Sequence, residues 1–181
     1  MEYIKTEIDG LWVIEPLILK DERGYFMESY KKAEFEQNIG KVDFIQDNES
    51  QSSYGVFRGF HYQEGEAAQA KLVRVLQGKV WDIAVDIRKN SSTFGKYVAV
   101  ELSEENKWQF FIPRGFAHGF LVLSETAVFS YKVDNVYSPA HERTLNCMDP
   151  DLAIRWSLDP SLLRLSEKDK LGKRLKEIEN I

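Results

Sequence analysis

Short runs of β-branched and aromatic residues, separated by Gly, Asn, Asp and Ser, make up most of this 181-residue chain. Such runs favour strands, because branched and aromatic side chains pack well on a pleated surface. The clearest run is 80–88, in which every second residue from Trp81 is apolar and the other face carries Asp82, Asp86 and Arg88. The pattern therefore predicts a chain built mainly of short strands.

Nine further strands are predicted on the same grounds, and a tight turn is expected at 77–79, where Gly78 lies between two of the runs. No internal repeat, low-complexity segment or linker interrupts the series, so we expect one domain over residues 1–181. The other predicted strands are 11–19, 24–30, 43–50, 56–63, 70–77, 97–102, 108–112, 117–123 and 126–134.

Helices are predicted only at the margins of the strand-rich region. Residues 30–39 indicate a short helix that Gly40 ends, and residues 166–179 indicate a terminal helix. Ser166 and Asp169 have the spacing of an N-terminal capping box. Many short strands with marginal helices are typical of an all-β sandwich or barrel, and small barrels hold a ligand in their mouth.

Composition limits the partners and the compartment. The net charge of −5 and a pI near 5.3 argue against nucleic acid as the main partner. Cys147 is the only cysteine and cannot form an internal disulfide, so a reducing compartment fits. No stretch approaches the roughly 20 apolar residues of a membrane span, and the first residues do not read as a secretory signal. We therefore expect a cytoplasmic protein that binds no membrane.

Two of the three histidines lie in runs that also contain glycine, aromatic residues and cations, at 58–63 and 113–120. Imidazole exchanges protons near neutral pH, and nearby cations can hold an anionic substrate. These runs therefore form a site hypothesis, although a lone strand histidine is more often structural. Arg58 and His61 are three residues apart, which would place them on opposite faces of a regular strand unless Gly59 introduces a bulge.

Six motifs follow one another along the chain, at 21–26, 58–63, 69–75, 82–88, 112–120 and 166–169. Together and in this order they resemble the dTDP-4-dehydrorhamnose 3,5-epimerase family. The resemblance implies a cupin-type jelly-roll barrel with short flanking helices, a homodimer and a cofactor-free isomerase. The family converts dTDP-4-dehydro-6-deoxy-D-glucose to dTDP-4-dehydro-L-rhamnose in dTDP-L-rhamnose biosynthesis.

The resemblance also implies four catalytic roles. His61 matches the base that removes a proton from carbon, and Asp169 matches the carboxylate that supports it. Tyr131 matches the acid that returns a proton, and Lys71 matches a cation near the C4 oxygen that stabilises the enolate. Without the resemblance, these residues would read as ordinary strand and helix-start side chains.

The resemblance further implies a set of substrate contacts. Arg23 and Arg58 match residues that hold the diphosphate, and His118 matches a binding histidine. Tyr137 matches a residue that stacks on thymine. In the family Arg23, Phe26 and Glu28 reach the pocket of the neighbouring subunit. The other residues that match substrate contacts of the family are Phe26, Glu28, Gln46, Asp47, Asn48, Glu142 and Lys168.

Three alternatives to a 3,5-epimerase stay open. A 3- or 5-epimerase of another dTDP-4-keto-6-deoxy sugar would retain the same residues. A non-catalytic sugar-nucleotide-binding cupin would have a broken acid–base set, whereas His61 and Tyr131 are both present. A metal-dependent cupin would carry a His-x-His pair, and no such pair occurs, so we predict no metal site. His141 is expected at the surface.

Overall fold

The computed structural model of the protein describes residues 1–178, in which thirteen strands are assigned. Eleven of them overlap with the ten predicted runs, since alternating branched and aromatic side chains here form strands with one face in the core. The strands are β1 (Glu2–Lys5), β2 (Trp12–Glu15), β3 (Leu19–Asp21), β4 (Gly24–Phe26), β5 (Gln46–Ser53), β6 (Phe57–Gln63), β7 (Lys71–Gln77), β8 (Lys79–Asp86), β9 (Tyr97–Ser103), β10 (Gln109–Ile112), β11 (Phe116–Val122), β12 (Thr126–Val133) and β13 (Glu142–Thr144).

The strands form two main antiparallel sheets that pack face to face as a jelly-roll barrel of the cupin type. One sheet has the order β1-β2-β10-β7-β12-β5 and the other the order β13-β6-β11-β8-β9, while β3 and β4 form a separate hairpin. Phe120 of the second sheet stacks on Phe129 of the first at 4.0 Å between ring centroids. This aromatic pair joins the two sheets inside the barrel.

Two further apolar clusters cover the outer faces of the sheets. Phe35 of helix α1 (Lys32–Asn38) packs with Leu72 and Phe111 of the first sheet. The C-terminal segment covers the second sheet, where Trp156 contacts Phe57 edge-on at 5.1 Å. This covering segment matters for the site, because it carries helix α2 (Glu167–Lys170) across the end of β6.

Several sequence-based boundaries were wrong for identifiable reasons. The run 11–19 contains two strands, β2 and β3, which belong to different sheets, and the run 24–30 ends at Phe26. Strands β1 and β13 were missed, since they have three or four residues and lie at sheet edges. The turn at 77–79 is present, but β7 and β8 belong to different sheets.

The C-terminal helix is much shorter than predicted. Ser166 caps α2 by accepting a hydrogen bond from the backbone N–H of Asp169, but the helix ends at Lys170. The chain then returns to the sheet, where the Asn146 N–H donates to the carbonyl of Lys173 at 2.8 Å. That pairing cannot continue a helix, so only a 3₁₀ turn at Leu175–Glu177 follows. The last predicted helical residue, Glu179, lies outside the described residues.

Helix α1 agrees with the prediction to within two residues at each end. Gly40 follows it with a φ of +129°, a conformation that favours glycine. Within residues 1–178, both α-helices are far too short to cross a lipid bilayer.

Candidate active site

His61 and Tyr131 reach one chamber from opposite sheets of the barrel. His61 lies on β6 and Tyr131 on β12, and the chamber between them has a volume of about 150 Å³. We call this space the inner chamber. It opens into a larger outer cleft of about 340 Å³, which His61 and Tyr131 also line. The other residues lining the inner chamber are Ser50, Arg58, Lys71, His118, Phe120 and Phe129.

His61 forms a hydrogen bond with a carboxylate that is distant in the sequence. Its Nε2 lies 2.5 Å from Oδ1 of Asp169 on α2. The Asp169 side chain is buried, with 4% of it exposed. Burial alone would raise the pKa of Asp169, but hydrogen bonds from His61 and Ser166 outweigh burial and hold that pKa below its usual value. An ionised carboxylate only accepts, so in the neutral form of His61 Nε2 carries the proton and Nδ1 has the lone pair.

A bulge in β6 brings Arg58 to the same chamber as His61, as predicted. On β11, His118 pairs with His61 and Phe120 pairs with Arg58. The two residues on β11 are two apart, whereas their partners on β6 are three apart, so β6 contains one extra residue. Gly59 allows this approach, since its φ is +141° and a Cβ would lie 2.5 Å from the Cα of Gly119. The Arg58 Nε donates to Ser52 Oγ at 2.8 Å, which holds the guanidinium at the chamber.

The surroundings of Tyr131 favour the protonated form of its phenol. Burial raises the pKa of the Tyr131 phenol, and the nearby Glu142 carboxylate adds to this effect, while Arg58 opposes it. The ring lies 6.1 Å from that of Phe129, which also lines the chamber. A neutral phenol is a hydrogen donor at the pH where an imidazole accepts.

Lys71 and His118 form a second group of ionisable side chains in the inner chamber. Burial lowers the pKa of Lys71 to about 8, although the carboxylates of Asp82 and Glu142 partly oppose this. His118 Nε2 lies 3.0 Å from each carboxylate oxygen of Asp82. Burial also lowers the pKa of His118, against the influence of Asp82.

The outer cleft is lined by four of the residues that the sequence assigned to substrate binding, which are Gln46, Asn48, Tyr137 and Glu142. The Tyr137 hydroxyl donates to Glu142 at 2.8 Å, and Lys168 forms an ion pair with the same carboxylate. Burial would raise the pKa of Glu142, but Lys168 and Tyr137 lower it below its usual value. Gln46 and Asn48 line the cleft and are joined by a hydrogen bond of 2.8 Å.

Four of the sequence-assigned residues lie apart from the cleft of their own chain. Asp47 is on the opposite face of β5, where it accepts a hydrogen bond from Lys132 at 2.8 Å, as the strand period of two requires. The other three lie on or just after the β3–β4 hairpin and are exposed; Arg23 there pairs with Asp21. These three are Arg23, Phe26 and Glu28.

Some residues at the site were missed by sequence reasoning. Gln63 lies two residues after His61 and so on the same face of β6, and it lines the outer cleft with 7% exposure. Its Oε1 accepts from the Ser138 N–H at 3.0 Å, next to Tyr137. Strand alternation could have indicated Gln63. Asp82 was assigned only to the polar face of β8, and that face proves to be buried.

Within residues 1–178, no three His, Cys, Asp or Glu side chains are grouped as metal ligands would be. His141 is partly buried rather than fully exposed, and its Nδ1 lies 2.8 Å from Ser138 Oγ.

Comparisons with known proteins give a consistent result. Residues 5–177 match the family model described as dTDP-4-dehydrorhamnose 3,5-epimerase. A Shigella flexneri protein of that name is 52% identical over 175 residues, which covers 96% of each chain. A Legionella pneumophila dTDP-6-deoxy-D-glucose-3,5-epimerase, solved in complex with dTDP-4-keto-L-rhamnose, has a TM-score of 0.94 and 50% identity, covering 98% of this chain and 94% of that one.

A single-centre enzyme is also similar, but less so in sequence. A 3′-monoepimerase from Streptomyces bikiniensis, in complex with dTDP-quinovose, has a TM-score of 0.89 and 34% identity, covering 96% of this chain and 87% of that one. The fold alone therefore does not separate one-centre from two-centre epimerases.

Proposed function

Because this chain belongs to the dTDP-4-dehydrorhamnose 3,5-epimerase family, we propose that His61, Tyr131, Asp169 and Lys71 carry out its reaction. The protein is an isomerase that epimerises C3 and C5 of dTDP-4-dehydro-6-deoxy-D-glucose in dTDP-rhamnose biosynthesis. The observation that carries the role assignment is the placement of an imidazole–carboxylate pair and a phenol on opposite walls of one chamber.

The substrate's ketone determines what the site has to provide. Removing a hydrogen from C3 or C5 gives an enolate delocalised onto the C4 oxygen. In a D-gluco chair, the hydrogens on C3 and C5 are both axial on the same face, so one base can reach both. Inversion then requires an acid on the opposite face.

His61 serves as that base and Tyr131 as that acid. The Nδ1 lone pair of His61 takes the carbon-bound hydrogen, and Asp169 supports the imidazolium that forms. The Tyr131 hydroxyl, whose raised pKa keeps it protonated, gives its hydrogen to the other face of the carbon. Exchange with solvent then removes the proton from the His61 imidazolium and returns one to the Tyr131 phenolate, so that the pair can act on the second carbon. Lys71, as an ammonium, stabilises the negative charge on the C4 oxygen.

The cations and aromatic residues around the chamber bind the nucleotide. Arg58 lines the inner chamber, and Lys168 is ion-paired with Glu142 of the outer cleft; both cations suit the diphosphate oxygens. His118 binds the sugar end from inside the chamber. Tyr137 is exposed at the cleft rim, where its ring can stack on thymine, and Gln46, Asn48 and Glu142 supply polar contacts.

We further propose a cytoplasmic homodimer in which each site is completed by the partner's β3–β4 hairpin. A two-stranded hairpin is at best marginally stable by itself in water, yet this one exposes 56% of Leu19, 54% of Tyr25 and 65% of Phe26. Docking on a second copy would cover these side chains and bring Arg23 and Glu28 to the other chain's nucleotide. Cys147, buried and unbridged, fits a reducing compartment.

Mixing two inactive variants tests the shared site. Arg23→Ala and His61→Ala proteins are each expected to be impaired, but mixed dimers contain one site in which both residues are native. Unfolding and refolding them together at equal amounts should therefore restore activity, to about a quarter of the wild-type value from random pairing. Refolding each variant alone is the control. No recovery on mixing would contradict sharing of Arg23 across subunits.

The reaction is tested by incubating the wild-type protein with dTDP-4-dehydro-6-deoxy-D-glucose in D₂O and following the sugar by NMR. We expect deuterium at both C3 and C5 and the L-rhamno product. Deuterium at one carbon only would support the single-centre alternative, and no deuterium would leave a sugar-nucleotide-binding protein. Each of these two outcomes would reject the 3,5-epimerase function.

A further inference from the structure

A buried carboxylate lies directly behind the inner chamber without lining it. Asp82 is on β8, is 0% exposed, and has both carboxylate oxygens 3.0 Å from His118 Nε2. His118 and Lys71 line the chamber, whereas Asp82 does not. Burying a carboxylate is costly unless it is paired, so its presence here calls for a role in the site.

We propose that Asp82 is a positioning residue, which fixes the His118 ring and supplies the negative charge that retains Lys71 as an ammonium beside the reacting sugar. The proposal rests on the role of Lys71 proposed above. Asp82 would act only through these two neighbours, because they line the chamber and Asp82 does not.

The charges that face Lys71 come from several strands. Positive or ionisable neighbours are Arg58 and His61 on β6, His118 on β11 and Tyr131 on β12, and these line the inner chamber with it. Two carboxylates favour its charged form, Asp82 on β8 and Glu142 on β13. Glu142 is already paired with Lys168 and bonded by Tyr137.

Asp82 is therefore the carboxylate that remains to balance the positive charge of Lys71. Within residues 1–178, the side chain that hydrogen-bonds it is His118. Burial raises the pKa of Asp82 above its usual value, and His118 and Lys71 partly oppose this because both favour the ionised form. One N–H equidistant from both oxygens also fits an ionised carboxylate, which only accepts.

The same strand offers a matched control. Asp86 lies four residues from Asp82, is also 0% exposed, and is bonded by Arg88, Ser91 and Thr93 away from the chamber. Asp82→Asn and Asp86→Asn each remove one buried negative charge from β8. The asparagine at 82 keeps an acceptor oxygen for His118, so the charge is the main change.

The sign of the expected effect follows from burial. Burial lowers the pKa of Lys71 to about 8, and removing the Asp82 charge lowers it further. Lys71 must be protonated to stabilise the enolate, so activity falls as the pH rises through its pKa. In Asp82→Asn this alkaline fall in kcat/KM should therefore begin at lower pH, by about one unit or more.

The experiment follows the Lys71 side chain directly by ¹³C NMR of its Cε in the full-length protein over pH 6–10, assigned with Lys71→Arg. The wild type and Asp86→Asn should titrate together, and Asp82→Asn about one unit lower. The kcat/KM profiles should shift in parallel, so that at pH 8 Asp82→Asn loses about tenfold relative to its own value at pH 6.5. An unmoved Lys71 titration, or a loss equal at every pH, would overturn the proposal.

Asp82→Glu keeps the charge role testable if Asp82→Asn does not fold. It keeps the charge but adds a methylene to a packed interior, so its melting temperature should fall while Lys71 titrates near the wild-type pH. A Lys71 titration well below wild type in Asp82→Glu would overturn the charge role even if Asp82→Asn did not fold. Because the NMR titration needs no turnover, it is separate from failure of the epimerase function, which the wild-type D₂O experiment reports.

Discussion

Replacing His61 with alanine is expected to abolish deuterium uptake at both C3 and C5, with turnover reduced by about 10³-fold or more. One imidazole serves both carbons in this account, because both hydrogens lie on one face of the sugar. The loss should therefore be equal at the two positions. NMR of the sugar in D₂O measures both exchange rates in a single sample.

His141→Ala is the matched control for His61→Ala. His141 is also partly buried and hydrogen-bonded, but its partner is Ser138 and it does not line the inner chamber. Its variant should exchange both carbons within about twofold of the wild type. His61→Asn, which retains more of the side-chain volume, should be as inactive as His61→Ala. Exchange that survives at either carbon in both His61 variants would remove His61 as the common base.

Replacing Tyr131 with phenylalanine is expected to separate exchange from inversion. His61 can still remove a hydrogen and return deuterium to the same face, but the opposite face has lost its donor. Formation of the L-rhamno product should fall by about 10²-fold or more, while deuterium uptake without inversion falls much less. The ratio of exchanged to inverted carbon, read from one NMR time course, is the diagnostic quantity.

Tyr97→Phe controls for the loss of a strand hydroxyl. The Tyr97 hydroxyl accepts a hydrogen bond from the Arg155 N–H, on the side of the second sheet that the C-terminal segment covers. Its variant should keep the wild-type ratio of exchange to inversion. If Tyr131→Phe reduces exchange and inversion by the same factor, the phenol is not the acid for the second face.

The positions of most strands along the chain could be predicted from the sequence, because the alternation of apolar and polar residues is a local property of each run. The pairing of strands into sheets could not. For example, 11–19 reads as one run, but its two halves join different sheets, and β13 is too short to give a pattern. Sheet membership depends on contacts between distant residues, which no short window contains.

The candidate site shows the same division. The motif at 58–63 and its bulge at Gly59 could be predicted from neighbouring residues. The contact between His61 and Asp169 joins residues 108 apart in the chain, and only the family resemblance indicated it. Asp82 was seen as polar, yet alternation does not tell whether a polar face meets solvent or the barrel interior.

A crystal structure with dTDP-6-deoxy-D-glucose, whose C4 hydroxyl prevents enolate formation, tests the central claim most directly. We expect the His61 imidazole on the ring face that carries the C3 and C5 hydrogens and the Tyr131 hydroxyl on the other, each within about 3.5 Å of a reacting carbon. A sugar that leaves both groups on one face, or that binds outside the inner chamber, would contradict the account.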